Sequence, residues 1–400
     1  MFTKTGHYRI KDIFIDNGNW WFFLLSYWHI IRKGIIEVVV KMLSCKTKLR
    51  GYKKYRCFKC NYTVTVPHTC KSRFCSSCGK KSTQLWIDYN FDELPATEWQ
   101  HITFTMPDIF WDFFWLNRDL LNLIPAIAAS VVQDLGKKKG VKVGIFLMLH
   151  TFGRDLKRNI HIHLSTTTGG LSLDHKDWKK VSFSYKAMMH MWRKRIISMF
   201  RDEFLAGRLT LPPQLQHLSQ YPDFNRLLDQ NYQKNWNVHA STPTKDHAKN
   251  VHYLARYLKR PPLADTRIEY YDGELVTFNF LDHHTGQHDR KTVTVREFIA
   301  RLIQHIPDKH FRLIRYYGWL SNRSRKTMLP IVRKVLKLKE AIQKVKSTFE
   351  SMMKTEFNCD ILTCPFCKIS MHCVGFISGE KLEVILANHK RLALPAGMPI

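Results

Sequence analysis

Asn159-Ile160-His161-Ile162-His163-Leu164-Ser165 reads as a β-strand with two histidines on one face. Side chains alternate along a strand, so His161 and His163 project together, about 7 Å apart, while Ile162 and Leu164 face the other way. One face is apolar enough to bury, and the other can grip a cation between two neutral imidazoles. A His-x-His triplet also fits the wet side of a half-buried strand, so its neighbours decide the reading.

About ninety residues later comes Val251-His252-Tyr253-Leu254-Ala255-Arg256-Tyr257-Leu258-Lys259-Arg260. It reads as a helix that Thr242 can cap, Pro243 can open and Pro261-Pro262 must end. Tyr253 and Tyr257 are four apart, so both phenols leave one face, with Lys249, Arg256, Lys259 and Arg260 around them. Core aromatics share that spacing. A metal-gripping strand and two phenols among cations together point to one chemistry, attack of a tyrosine on a phosphodiester. A free phenol has a pKa near 10 and is a weak nucleophile at neutral pH. Metal, a base or the cations of Arg256, Lys259 and Arg260 must help remove its proton.

Toward the N-terminus, His101 to Pro107 reads as a strand stopped by proline. Trp111 to Val132 is a helical region interrupted at Pro125, and Val141 to Thr151 is a strand whose Gly153 connection returns the chain as a hairpin into the histidine strand. Tyr185 to Phe204 is an amphipathic basic helix. Thr266 to Val295 carries strands around turns at Asp272-Gly273 and Gly286, and Thr294-Val295-Arg296-Glu297 fits a capping box for a helix through Ile306. Residues 1–44 read as a helical, aromatic segment packed on the domain that follows.

Cys57-x-x-Cys60 and Cys75-x-x-Cys78 have the spacing of a two-knuckle zinc ribbon, each pair supplying two thiolates to one tetrahedral ion. Cys45, His68 and Cys70 are further candidates, one ligand short of a second closed site. Near the C-terminus Cys364 and Cys367, with Cys359 and Cys373, offer another zinc site. Ten cysteines at short spacings in a strongly basic chain favour metal over disulfides, in a reducing compartment.

The formal charge of +30 and pI near 9.8 select a polyanionic partner. At 44% hydrophobic residues the 400-residue chain can build packed cores. The apolar run Trp20 to Ile31 is well short of the roughly twenty residues a membrane span needs, so no membrane partner and a cytoplasmic location are expected. Arg312 to Lys326 interleaves arginines with Tyr316, Tyr317 and Trp319, a composition suited to base stacking and backbone contact.

These motifs, in this order from Cys45 to Cys367, resemble the two-tyrosine HUH transposases of the insertion-sequence-91 type. The resemblance includes Leu149-His150-Thr151-Phe152-Gly153, Gly169-Gly170-Leu171, Tyr-Leu-Ala-Arg-Tyr, Arg315-Tyr316-Tyr317-Gly318-Trp319-Leu320 and Cys364-Pro365-Phe366-Cys367. It departs from the commoner His-Pro-His-x-His at Asn159 and Ile160. The resemblance implies an α+β fold, an HUH-endonuclease-like antiparallel sheet flanked by helices and preceded by a small zinc-binding module. The expected division is residues 1–44, a zinc-binding DNA-recognition domain 45–94, a catalytic domain 95–328 and a basic helical region 329–400.

It also implies nicking and joining of single-stranded transposon ends and target by a rolling-circle route. His161 and His163 would hold magnesium or manganese, and Tyr253 or Tyr257 would form a 5′-phosphotyrosine. A third ligand is usual, with His150, Asp155 and Asp246 as candidates. Arg73, Arg256, Lys259, Arg260, Arg315, Tyr316, Tyr317 and Arg323 are expected at DNA. A plasmid relaxase or replication initiator would use the same chemistry, and a non-catalytic zinc-dependent DNA-binding protein would explain charge and cysteines alone.

Overall fold

The computed structural model describes residues 8–246, 261–282, 285–338, 354, 360 and 362–393. Tyr253, Tyr257, Arg256, Lys259, Arg260 and Cys359 lie outside these residues. At the centre is a five-stranded antiparallel sheet. Its order is Ile314–Gly318, Gly144–Phe152, Arg158–Thr167, Trp99–Phe104, Val238–Ala240, with the histidine strand in the middle. The hairpin expected from the Val141 to Ser165 pattern is present, although its first strand breaks after Val141–Lys142.

Strand alternation divides this sheet into two unlike faces. Ile160, Ile162, Leu164, Ile145, Leu147, Leu149, Ile102, Phe104 and Val238 all point one way and are buried. They pack under the helices Ile124–Lys138, Tyr185–Leu205 and Tyr221–Gln233, through residues such as Ala128, Val132, Trp192, Ile196, Phe224 and Leu228. Pro125 opens the first of these helices, where a missing N–H costs nothing. Ser184 caps the second, its hydroxyl accepting from the Ala187 N–H.

The opposite face carries the histidines and is covered at one end by the helices Ser76–Glu93 and Arg325–Val335. There Trp86, Ile87, Phe146, Trp99, Trp319, Met328 and Leu329 form a second apolar layer. The Trp319 ring lies directly on Gly144, where any Cβ would strike it.

The N-terminal helices Ile10–Ile15, Asn19–Tyr27 and Lys33–Leu43 share a core with the three-stranded sheet Ile268–Tyr271, Leu275–Leu281, His288–Thr294 and with the helix Val295–Ile303. The Thr294 hydroxyl accepts from the Glu297 N–H, as the capping pattern requires.

Among the described residues of 329–400, one strand joins the N-terminal module, a contact that the expected division of the chain does not include. Strand His372–Ser378 pairs antiparallel with Gly51–Arg56, which pairs with Thr63–Pro67, so the C-terminal segment completes the sheet of the N-terminal module. Backbone pairing across the length of the chain leaves no mark in local sequence pattern.

Buried His305 bears on stability. Its Nε2–H donates to the Leu156 carbonyl at 3.1 Å, and Nδ1 accepts from the Thr151 hydroxyl at 3.2 Å. Burial, partly opposed by the Leu156 carbonyl, pushes its pKa down to about 4. Unfolding restores a value near 6.5, so the stabilisation is complete above pH 6.5 and is lost as pH falls toward 4. The stability advantage of wild type over His305→Gln should shrink by about 3 kcal/mol between pH 7.5 and pH 4. Denaturant midpoints across that range check it, and an unchanged difference would mean that His305 does not titrate as argued.

Candidate active site and metal centres

Register brings the histidines together. His150 pairs with His161, Met148 with His163, and His163 with Thr103 on the neighbouring strand, which itself pairs with His239. The Nε2 atoms of His161 and His163 stand 3.1 Å apart, and one ring nitrogen each of His150, His161 and His163 falls within 4.8 Å of the others. Two nitrogens at right angles on an ion about 2.1 Å away would be about 3.0 Å apart, so this donor set fits a divalent cation.

The partners of the other ring nitrogens agree with that fit. His161 Nδ1–H donates to the Asn159 carbonyl at 3.0 Å, which puts the ring's lone pair on Nε2, the nitrogen that faces His163. His163 Nδ1 contacts His101 Nε2 at 3.1 Å, and His101 Nδ1 reaches the Ser165 hydroxyl at 3.4 Å. With His163 donating to His101 and His101 donating to Ser165, His163 also turns a lone pair toward the cluster. Orientation of a ligating histidine through its far nitrogen is common at metal sites.

Burial, reinforced first by His150, holds His163 well below the ordinary imidazole value, and burial pushes His101 down to about 3. Both rings are therefore neutral at physiological pH, the form that can ligate.

Of the three candidates for a third donor, His150 joins the cluster. Among the described residues Asp155 lies in the hairpin turn, ion-paired with Lys157, and Asp246 is not part of the group. His101 was missed. The signal was present in His101-Ile-Thr-Phe-Thr, whose alternation puts His101 and Thr103 on one face. What that pattern lacked was the neighbouring strand. Tyr253 and Tyr257 fall outside the described residues, which on this side of the sheet run as far as Asp246. Thr244 and Trp99 exchange both backbone hydrogen bonds, at 2.9 and 3.0 Å.

The cysteines regroup. Cys45, Cys70, Cys75 and Cys78 have all four sulfurs within 4.8 Å of one another, as do Cys57, Cys60, Cys364 and Cys367. The expected single site of Cys57, Cys60, Cys75 and Cys78 is corrected. The Ser76–Glu93 helix carries Cys75 and Cys78 toward the N-terminal helices, while Cys57 and Cys60 lie in the turn that joins Gly51–Arg56 to Thr63–Pro67. His68 belongs to neither group, its Nδ1 lying 3.0 Å from the Arg50 carbonyl. Cys373 is exposed and outside both.

Cys45 to Cys78 and Cys70 to Cys78 are 3.7 and 3.6 Å. A tetrahedral zinc with bonds of about 2.3 Å holds its sulfurs about 3.8 Å apart, whereas a disulfide needs about 2.05 Å. Without a cation the packed thiols share few ionisations. Hydrogen bonds, first from Cys70, pull Cys45 down to about 7, and the Cys45 contact lowers Cys78 while raising Cys70 and Cys75.

The expected DNA contacts are redistributed as well. Tyr316 is half-buried beneath the Ser76–Glu93 helix, its hydroxyl accepting from Trp86 Nε1 at 3.2 Å and donating to Asn90 at 3.3 Å. Tyr317 packs against the main core on the other face. Their rings are used, at least on one side, in packing. Arg315 donates to Asn122, and Arg73 lines a narrow crevice with Arg118, Thr151, Phe152 and His305. Arg323 is exposed.

Residues 144–327 match a family model described as "Putative transposase", and residues 19–106 match a "Transposase zinc-binding domain" of the IS91 type. The chain is 36% identical over 395 residues, 96% of its length and 93% of the relative's, to the transposase for insertion sequence element IS801 of Pseudomonas savastanoi pv. phaseolicola. It is 26% identical over 309 residues, 75% of its length and 78% of the relative's, to a protein described as "Putative transposase y4qJ" of Sinorhizobium fredii (strain NBRC 101917 / NGR234). No solved structure matches it. Among the described residues no helix is long and apolar enough to cross a membrane. The two models fall on the histidine strand and the N-terminal cysteines, and the first relative spans nearly the whole sequence: the chain belongs to the IS91-type transposase family, with a zinc-binding domain.

Proposed function

We propose that this transposase cleaves and rejoins single-stranded transposon ends through a 5′-phosphotyrosine, using the HUH chemistry implied by its histidine strand. The observation that carries the reading is the convergence of His150, His161 and His163 on one point, with the His163 ring kept neutral by burial and the far nitrogens of His161 and His163 oriented. A magnesium or manganese ion held by these three would neutralise charge on the phosphate oxygens and orient the phosphate for in-line attack.

His101 positions His163. Tyr253 or Tyr257 attacks the phosphorus, forming the O–P bond as the sugar 3′-oxygen leaves to become a free 3′-hydroxyl. Because the covalent bond conserves the energy of the broken phosphodiester, a 3′-hydroxyl can later reverse the step without ATP. The second tyrosine permits a second cleavage while the first is occupied. Arg256, Lys259, Arg260 and Arg323 supply cations for the DNA backbone. Cys45, Cys70, Cys75 and Cys78 hold a structural zinc at the root of the Ser76–Glu93 helix, which then lies over the histidine face.

End-labelled oligonucleotides carrying the transposon end, incubated with magnesium or manganese and resolved on denaturing gels, test the reading. The 3′-labelled fragment should remain on the protein and the 5′-labelled fragment should be released. Bound but uncut DNA under every metal would leave a zinc-dependent binding protein as the better account.

A further inference from the structure

The zinc-binding family match ends at residue 106, yet Cys57 and Cys60 do not find their partners within it. Their sulfurs meet those of Cys364 and Cys367, at the other end of the chain, with Cys60 to Cys364 at 3.5 Å. That separation is far too long for a disulfide and close to the sulfur spacing of a tetrahedral zinc thiolate. Cys57 and Cys364 are fully buried, at 0% exposure each.

The two pairs also have the same local fold. In Cys57-Phe-Lys-Cys60-Asn61-Tyr62 the Cys57 N–H donates to the Tyr62 carbonyl at 2.8 Å. In Cys364-Pro-Phe-Cys367-Lys368-Ile369 the Cys364 N–H donates to the Ile369 carbonyl at 2.8 Å. The residue after the second cysteine takes a left-handed conformation in both, Asn61 at φ 58° and Lys368 at φ 56°. The region is uncommon for residues other than glycine, asparagine being the more tolerant of these two. In both, the turn presents two sulfurs to one side. A ring from each knuckle meets the other across the junction, Tyr62 edge-on to Phe366 at 5.2 Å. Two like knuckles facing each other make a closed four-sulfur site.

We propose that Cys57, Cys60, Cys364 and Cys367 bind a second zinc ion that clasps the C-terminal segment to the N-terminal module. On binding, the four thiols release their protons and each forms one Zn–S bond, which closes the tetrahedron and leaves no place for substrate. The clasp fixes the strand His372–Ser378 beside Gly51–Arg56, a pairing continued where the Glu380 N–H donates to the Leu49 carbonyl at 2.8 Å. The DNA-recognition module is therefore made from both ends of the chain, with the catalytic sheet between them in sequence.

The inference rests on zinc being the metal of the cysteine groups, and the test separates the two claims. Full-length protein purified under reducing conditions should contain two zinc ions per chain by elemental analysis. Cys364→Ser with Cys367→Ser should leave one, and adding Cys57→Ser and Cys60→Ser should still leave one, because the four serve a single ion. If wild type holds one zinc, retained in the Cys364→Ser, Cys367→Ser chain, the clasp is wrong and the first site stands. If wild type holds none, the zinc reading itself fails.

Wild-type alkylation gives an answer that needs no variant. Under N-ethylmaleimide, Cys57, Cys60, Cys364 and Cys367 should be protected and should become reactive together after chelation. Exposed Cys373 should react from the start. Rapid alkylation of Cys364 and Cys367 in the zinc-loaded chain would overturn the proposal.

Discussion

A chain with Tyr253→Phe and Tyr257→Phe together is expected to form no covalent adduct with single-stranded end DNA. The substitutions remove two oxygen atoms and little else, so DNA affinity and zinc content should stay within about twofold of wild type. Loss of the attacking group costs far more than loss of a helper. With no phenol left between Val251 and Arg260, cleavage should fall by at least about 10⁴-fold. Each single variant should keep one nucleophile, and the one that loses the first cleavage identifies which tyrosine leads. Denaturing gels with labelled DNA give the readout. An adduct persisting in the double variant would remove both residues from the mechanism.

His163→Ala should be the most damaging single change on the sheet. Its Nε2 stands 3.1 Å from that of His161, and its ring makes contact with both His150 and His101. A catalytic ion contributes several kcal/mol of charge stabilisation, and each 1.36 kcal/mol is tenfold in rate, so a loss of about 10³-fold in cleavage is expected. Noncovalent binding of the same oligonucleotide should survive.

His101→Gln, which removes the imidazole that links His163 Nδ1 to the Ser165 hydroxyl, should cost about 10- to 100-fold. The His101→Gln loss should shrink at saturating manganese if the residue acts by holding a ligand, and persist if it acts by packing. Wild-type cleavage by the His163→Ala chain at ordinary metal concentrations would show that the cluster is structural.

Much of the site could be read locally because its signals are short. His161 and His163 share a face in any strand, whatever that strand packs against, and the alternating Ile160, Ile162 and Leu164 declare which side is buried. The hairpin from Val141 to Ser165, the Thr294 cap and the break of the helical region at Pro125 follow from backbone chemistry within a few residues. The Arg312 to Lys326 stretch shows the limit of that kind of reading. Its composition suits both a stacking surface and a packed seam, and the helix laid over Tyr316 and Trp319 is visible only in the tertiary structure.

By itself the sequence determined the polyanionic partner, through a charge of +30, the histidine face of the strand and the identity of the thiolate donors. Charge, strand period and ligand type are properties of residues and their near neighbours. Tertiary structure alone decided which groups meet. It set His150 opposite His161 and His101 beside His163, and it took Cys57 and Cys60 away from Cys75 and Cys78 to join Cys364 and Cys367. Strand register and the return of a chain end are fixed by burial summed over the whole molecule, so no local pattern of residues specifies them.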